Sequence, residues 1–272
     1  MIASAYFAAM QPSVKTALIT GASGGIGLDF ARCFARDGHV LILCARNKAK
    51  LEEAAENLRK LGAPNVAVIP CDLAQPGSAR KLFDDCERAG LKVDYLVNNA
   101  GFGSHGRYQD LNPKDETEML QLNITTLTEI TRLFLAPMLA RKSGRILQVA
   151  STAAFQPGPF MAVYYATKAY VLSFSEALAE ELQDTGVTVT CLCPGATSTG
   201  FATRADMADA FLFRLAAMPS PPVAEAGYRG MMRGKVLVIT GLMNKISVFS
   251  LRFGPRSLVR KIVAKLQASR AS

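Results

Sequence analysis

The chain has 272 residues, half of them apolar, and carries 31 basic against 22 acidic side chains for a formal net charge of +9. That is enough to build one α/β domain with a full core. No linker or low-complexity tract divides it, and no apolar run approaches the roughly 20 residues of a membrane-spanning helix, so a soluble or peripheral protein is expected.

The charge is unevenly placed. Ten basic residues and no acidic one fall between Ala226 and Ser272, which leaves residues 1–225 at −1. No aromatic platform or nucleic-acid module accompanies that basic stretch, so nucleic acid is not an expected partner. The six cysteines contain no C-x-x-C pair, and only His39 and His105 could complete a metal site. Buried, reduced thiols in a cytoplasmic protein without metal are therefore expected.

Residues 1–12 read as a frayed lead-in without the basic start and cleavage site of a signal peptide. Val14 to Thr20 reads as a first strand, Thr20 to Gly27 as a glycine turn, and a helix follows to about Asp37. Val40 to Ala45 is a continuous apolar run, as expected of a strand buried on both faces of a parallel sheet. Helix 48–61, strand 66–70 and a helix around 79–88 continue the alternation, and strand 95–97 ends in Asn98-Asn99-Ala100-Gly101. A long helical region from Pro113 to Arg141 should bend or break near Asn123 and Pro137. Strand 145–150, helix 161–183 and strand 187–193 follow, then a loop over 196–222 and a last strand at 236–240. The pattern predicts a single doubly wound parallel sheet of about seven strands, Rossmann-type, over residues 13–241, with helices on both faces. Residues 242–272 form a basic helical extension.

Two chemistries compete for the glycine turn. Gly21-Ala22-Ser23-Gly24-Gly25 spells the G-x-S-x-G elbow of a serine hydrolase. That elbow needs a late histidine, and none follows His105. Gly21, Gly25 and Gly27 instead suit a turn that brings backbone and a helix N-terminus up to a dinucleotide pyrophosphate. The end of the second strand then distinguishes cofactors: an acid there would hold the ribose hydroxyls of NAD, whereas this chain places Arg46, whose guanidinium matches the extra phosphate of NADP.

Tyr164 and Lys168 lie one turn apart on the stripe of Val171, Phe174, Leu178 and Leu182, which should be buried. An inward lysine needs a purpose, and a tyrosine one turn away supplies one if its proton is to move. Bringing a tyrosine from near pH 10 to neutral operation takes about 4 kcal/mol, which an adjacent ammonium and a cationic cofactor ring could provide. Tyr165, offset around the helix, reads as core. Ser151 stands thirteen residues before Tyr164, at the end of the fifth strand, where its hydroxyl could hold a substrate oxygen.

Together, T-G-x-x-x-G-x-G at 20–27, Asp72, Asn98 to Gly101, Asn123, Ser151, Tyr164-x-x-x-Lys168 and Pro194-Gly195 with Thr199 resemble the short-chain dehydrogenase/reductase family over about residues 14–200. The ending resembles a bacterial branch related to ketoacyl-CoA reductases and 17-beta-hydroxysteroid dehydrogenases. The resemblance implies NADP(H)-dependent hydride transfer on a small-molecule carbonyl or alcohol. Tyr164 would be the acid, Lys168 the ribose ligand, Ser151 the stabiliser of the reacting oxygen and Asn123 the holder of a relay water. It further implies that Ser23, Ile26, Asp72, Asn99, Ala100, Gly101, Pro194, Gly195 and Thr199 line the cofactor, and that the chain forms a homo-oligomer. An NADP(H)-binding scaffold that has lost turnover is the rival from another class.

Phe201, Met207, Phe211, Leu212, Phe213, Leu215 and Met218 make the 196–222 loop apolar enough for a lipophilic substrate such as an acyl chain or sterol. In the last helix, Leu258, Val259, Ile262, Val263 and Leu266 form an apolar stripe that would pack on the protein or a sister subunit, or lie on an anionic membrane. His105 reads as a surface-loop residue near the pocket.

Overall fold

The computed structural model describes residues 14–201 and 217–268. The lead-in, and the loop residues Met207, Phe211, Leu212, Phe213 and Leu215, lie outside that range.

Strand β1 (Thr16–Thr20) leads through the glycine turn into helix α1 (Gly25–Arg36). Then follow β2 (Val40–Ala45), α2 (Lys48–Leu61), β3 (Val66–Pro70), α3 (Ser78–Arg88) and β4 (Tyr95–Asn98). Helix α4 (Pro113–Leu120) runs through a π-helical turn (Gln121–Thr126) into α5 (Leu127–Ala140), then β5 (Gly144–Val149), α6 (Ala162–Glu181) and β6 (Val187–Cys193). Short strands β7 (Thr197–Ser198) and β8 (Met218–Pro219) pair with each other ahead of α7 (Ser220–Met232), β9 (Leu237–Ile239), α8 (Leu242–Ser250) and α9 (Arg256–Ala268).

The main sheet has seven parallel strands in the order β3-β2-β1-β4-β5-β6-β9. Its centre is as apolar as the sequence requires: Leu41, Ile42, Leu43 and Cys44 of β2 are fully buried. On one face Phe30, Phe34, Leu51, Val223 and Met231 bring α1, α2 and α7 onto the strands. On the other, Leu82, Phe134, Met138 and Tyr164 bring in α3, α5 and α6. Each large buried side chain contributes about 1.5–3 kcal/mol against exposure.

The interruption near Asn123 takes the form of the π-helical turn, whereas Pro137 sits inside α5 without ending it. The predicted loop to Pro222 is shorter than expected, because α7 begins at Ser220 with proline in its first turn, a position whose missing N–H costs nothing. That helix is fixed to α1 by polar contacts: Ser220 Oγ donates to Asp29 Oδ2 at 2.5 Å, Arg36 pairs with Glu225 at 2.6 Å, and the Tyr228 hydroxyl donates to Asp37. Helix α8 is likewise a helix that periodicity did not announce. All six cysteines are buried and unbridged.

Candidate active site

The strand order reverses between β1 and β4, so the turns leaving these two strands flank the crevice where open α/β sheets take ligands. Thr20 stitches the turns together: its Oγ1 accepts the amides of Asn99 and Ala100, both at 3.0 Å, and donates to Val97 O at 3.3 Å. Asn99 Nδ2 donates back to Thr20 O at 2.9 Å. Gly21 and Gly25 hold φ of +67° and +54°, the left-handed region that favours glycine. At Gly27 a Cβ would run into the Gly21 carbonyl and the Asn99 amide, so any side chain there would push the two turns apart. Helix α1 starts from Gly24 without a side-chain cap, while Ser23 to Ile26 line a cavity of about 850 Å³. Free first-turn amides beside a cavity make an anion site, and this cradle fits a dinucleotide pyrophosphate.

The opposite wall comes from the ends of β5 and β6. Ser151 caps the short helical turn after β5: its Oγ accepts the Ala153 amide at 3.1 Å and donates to Pro194 O at 3.4 Å. Tyr164, in the first turn of α6, and Lys168, one turn on, are 9% and 5% exposed. Burial pushes the Tyr164 hydroxyl above the ordinary tyrosine range, and a hydrogen bond with Ser151 opposes that shift. Burial pulls the Lys168 ammonium down to about 8. Lys168 Nζ donates to Val149 O at 2.9 Å and lies over the Tyr164 ring, 5.7 Å from its centre. In the protein alone desolvation therefore outweighs the cation, and Tyr164 holds its proton.

Asn123 lies in the π-helical turn and is 1% exposed. The wider turn aims its amide at the β4 loop: Nδ2 donates to Phe102 O at 2.9 Å and to Thr167 Oγ1 at 3.1 Å, while Oδ1 accepts the Phe102 amide at 3.3 Å. It thereby ties the loop after Gly101 to α6 directly behind Lys168.

The remaining expected positions divide into two sets. Asn99, Ala100, Gly101, Pro194, Gly195 and Thr199 line the cavity with the glycine turn. Arg46 and Asp72 do not reach its lining. Arg46 is exposed at the end of β2, next to Asn47, whose side chain caps α2. Asp72 accepts the Ala74 amide at 3.2 Å and the Gln75 side-chain amide at 3.3 Å. Lys50, which drew no attention in the sequence, does line the cavity from the first turn of α2. Its only signal is a cation one turn past Arg46.

The cavity's roof comes from the C-terminal extension and includes the apolar stripe of the last helix. Val248 and Leu251 of the α8 segment, and Val259, Ile262 and Val263 of α9, line the same cavity as Ser151 and Tyr164. Gln267, 5% exposed, donates from Nε2 to the Tyr165 hydroxyl at 3.0 Å, and its backbone carbonyl lies 3.3 Å from His105 Nε2. Tyr165, half-buried against the core, is thus also part of the cavity wall, and the loop residue His105 contacts α9. Phe201 packs on Tyr164 with ring centres 5.3 Å apart. Neither histidine hydrogen-bonds Ser23. His39 accepts the Lys15 amide at 3.4 Å on the far side of β1.

Residues 15–209 match the family described as short chain dehydrogenase. The chain belongs to that family. An 11-beta-hydroxysteroid dehydrogenase-like protein of Arabidopsis thaliana is 37% identical over 190 residues, covering 70% of this chain and 61% of that protein. The chain thus spans about half to three fifths of the length of the first curated relatives it matches. Among solved structures, a short-chain dehydrogenase from Sphingobium yanoikuyae in complex with NADPH superposes with a TM-score of 0.81 at 30% identity, over 90% of this chain and 95% of that one. A short-chain dehydrogenase/reductase from Burkholderia phymatum in complex with NAD gives 0.80 at 26% identity, over 91% and 95%. Membership of a dehydrogenase family, with solved neighbours in complex with NADPH and with NAD, favours the dinucleotide reading of the glycine turn over the hydrolase reading of Ser23. Among the described residues no helix is long and apolar enough to cross a membrane.

Proposed function

We propose that the protein is an NADP(H)-dependent oxidoreductase that interconverts a lipophilic carbonyl compound and its alcohol in the reducing cytoplasm. The observation that carries this reading is the buried Tyr164 and Lys168 pair beside Ser151, facing across one cavity the uncapped start of α1. When bound, the nicotinamide supplies or accepts the hydride at the substrate carbon. Tyr164, held neutral by burial, is in the state that donates a proton to a carbonyl oxygen during reduction. Ser151 Oγ sits where it can hydrogen-bond the same oxygen. Lys168 binds the nicotinamide ribose and, with an affinity for protons near neutrality, restores the proton to the tyrosine. Asn123 fixes the loop behind that lysine and holds a relay water.

Lys50, at the cavity wall, and Arg46, exposed just before α2 and outside the lining, offer two cations for the 2′-phosphate of NADP, with no carboxylate at the end of β2 to favour NAD. Phe201 and the apolar roof support a lipophilic substrate, and six unbridged thiols support a reducing compartment. The scaffold reading would leave Ser151, Tyr164 and Lys168 without a task.

The test is Tyr164→Phe against a graded series of ketones with NADPH. Turnover should fall about 10²–10⁴-fold while NADPH binding is retained. Equal, slow oxidation of NADPH by both proteins over the whole series would favour the scaffold.

A further inference from the structure

Helix α8 and the helical turn that follows it (Leu251–Phe253) present two different faces. Asn244, Val248 and Leu251 are half-buried and line the cavity from above. On the opposite face Leu242, Ile246, Phe249 and Phe253, spaced four, seven and eleven residues along, are 72%, 52%, 58% and 75% exposed, with Met243 beside them at 72%. Phe249 and Phe253 pack edge-to-face on each other, with ring centres 5.3 Å apart. Soluble proteins rarely leave so many large apolar side chains contiguous and bare.

The surrounding charge identifies what covers them. Lys245 and Arg252 flank the apolar stripe, and Arg256, Arg260 and Lys261 follow on α9, all exposed. No ion pair involves any of the five among the described residues, and the sequence from Ala226 to Ser272 contains no acidic side chain to form one. A second copy of the chain, docked face to face about a two-fold axis, would set two acid-free basic rims against each other. An anionic lipid surface complements both features: acyl chains take up the apolar stripe and headgroups the cations.

We infer that the outer face of α8, with the cations of α8 and α9, docks the protein onto anionic lipid bilayers, the inner face of the same helix roofing the catalytic cavity. The docked orientation turns the roof toward the bilayer, so an apolar substrate would reach the cavity from the lipid phase. The docking itself does not depend on the oxidoreductase reading, and Tyr164→Phe should bind vesicles like wild type.

The experiment is flotation of the full chain with phosphatidylcholine vesicles, with and without phosphatidylserine. Wild type should float with the anionic vesicles and be released by salt. Both Phe249→Ser/Phe253→Ser and Lys245→Glu/Arg252→Glu should lose about tenfold or more in partitioning, while reduction of a water-soluble ketone is unchanged. The substituted side chains are exposed, so the fold should be kept. Wild type that stays unbound with both vesicle types would overturn the inference. So would vesicle binding that survives the paired phenylalanine substitutions, or a wild-type dimer, unbound to lipid, that those substitutions convert to a monomer.

Discussion

Lys168 offers the sharpest test of the site, because its buried ammonium must weigh on the stability of the whole protein. Its folded-state value near 8 lies below the ordinary 10.5, so the unfolded chain binds the extra proton between those two pH values. Stability should therefore rise with pH through that window and be lost as pH falls through 8. A separation of 2.5 between the two values corresponds to about 3 kcal/mol. Replacing the side chain by methionine removes this dependence. It also deprives the Val149 carbonyl of its donor, at a cost of about 1–3 kcal/mol that does not vary with pH. The comparison is thus a double difference. Urea unfolding of wild type and Lys168→Met, without cofactor, should show wild type gaining about 2–3 kcal/mol on the variant between pH 7 and pH 10, a relative midpoint shift of about 1 M. If the gap between the two proteins is the same at both pH values, the ammonium is not desolvated, and the reasoning about the Tyr164 and Lys168 environment fails.

Gly27→Ala drives a methyl group into the Gly21 carbonyl and the Asn99 amide, so it should cost about 1–3 kcal/mol, lower the melting temperature by a few degrees and weaken cofactor binding measured by nicotinamide fluorescence. Asn123→Leu removes the side-chain partners of the Phe102 amide and carbonyl; a loss of about 1–3 kcal/mol in thermal unfolding is expected, with kcat reduced more than cofactor affinity. Arg46→Ala and Lys50→Ala should each weaken NADPH about tenfold or more in titration and leave NADH nearly unchanged; unaltered cofactor preference in both would refute the phosphate assignment. Gln267→Ala frees α9 from Tyr165, so KM should rise for long-chain ketones while kcat on a short ketone stays near wild type.

Much of the fold was legible because its signals are local. The unbroken apolar run of β2, the glycine turn after β1 and the alternation of strands with amphipathic helices each depend on neighbours within a few residues, and the seven-stranded sheet follows from them. Tyr164 and Lys168 were visible for the same reason: one helical turn puts both on the buried stripe. The missed pieces lack such a signal. Helix α7 opens on prolines that read as a loop, and its place is fixed by Asp29, Arg36 and Asp37, nearly two hundred residues away.

The sequence by itself therefore determined the sheet, the glycine turn at Thr20 to Gly27 and the pairing of Tyr164 with Lys168 on one buried helix face, because periodicity and backbone freedom are properties of short stretches. The tertiary structure alone decided three things. Burial is the largest influence on the Tyr164 proton in the protein alone, since the balance of desolvation and charge depends on which atoms face each other. Lys50, Tyr165 and Gln267 join the cavity wall through contacts between segments distant along the chain. And of the apolar residues in the C-terminal extension, some roof the site while others face outward bare, a division set by where α8 and α9 come to rest on the domain.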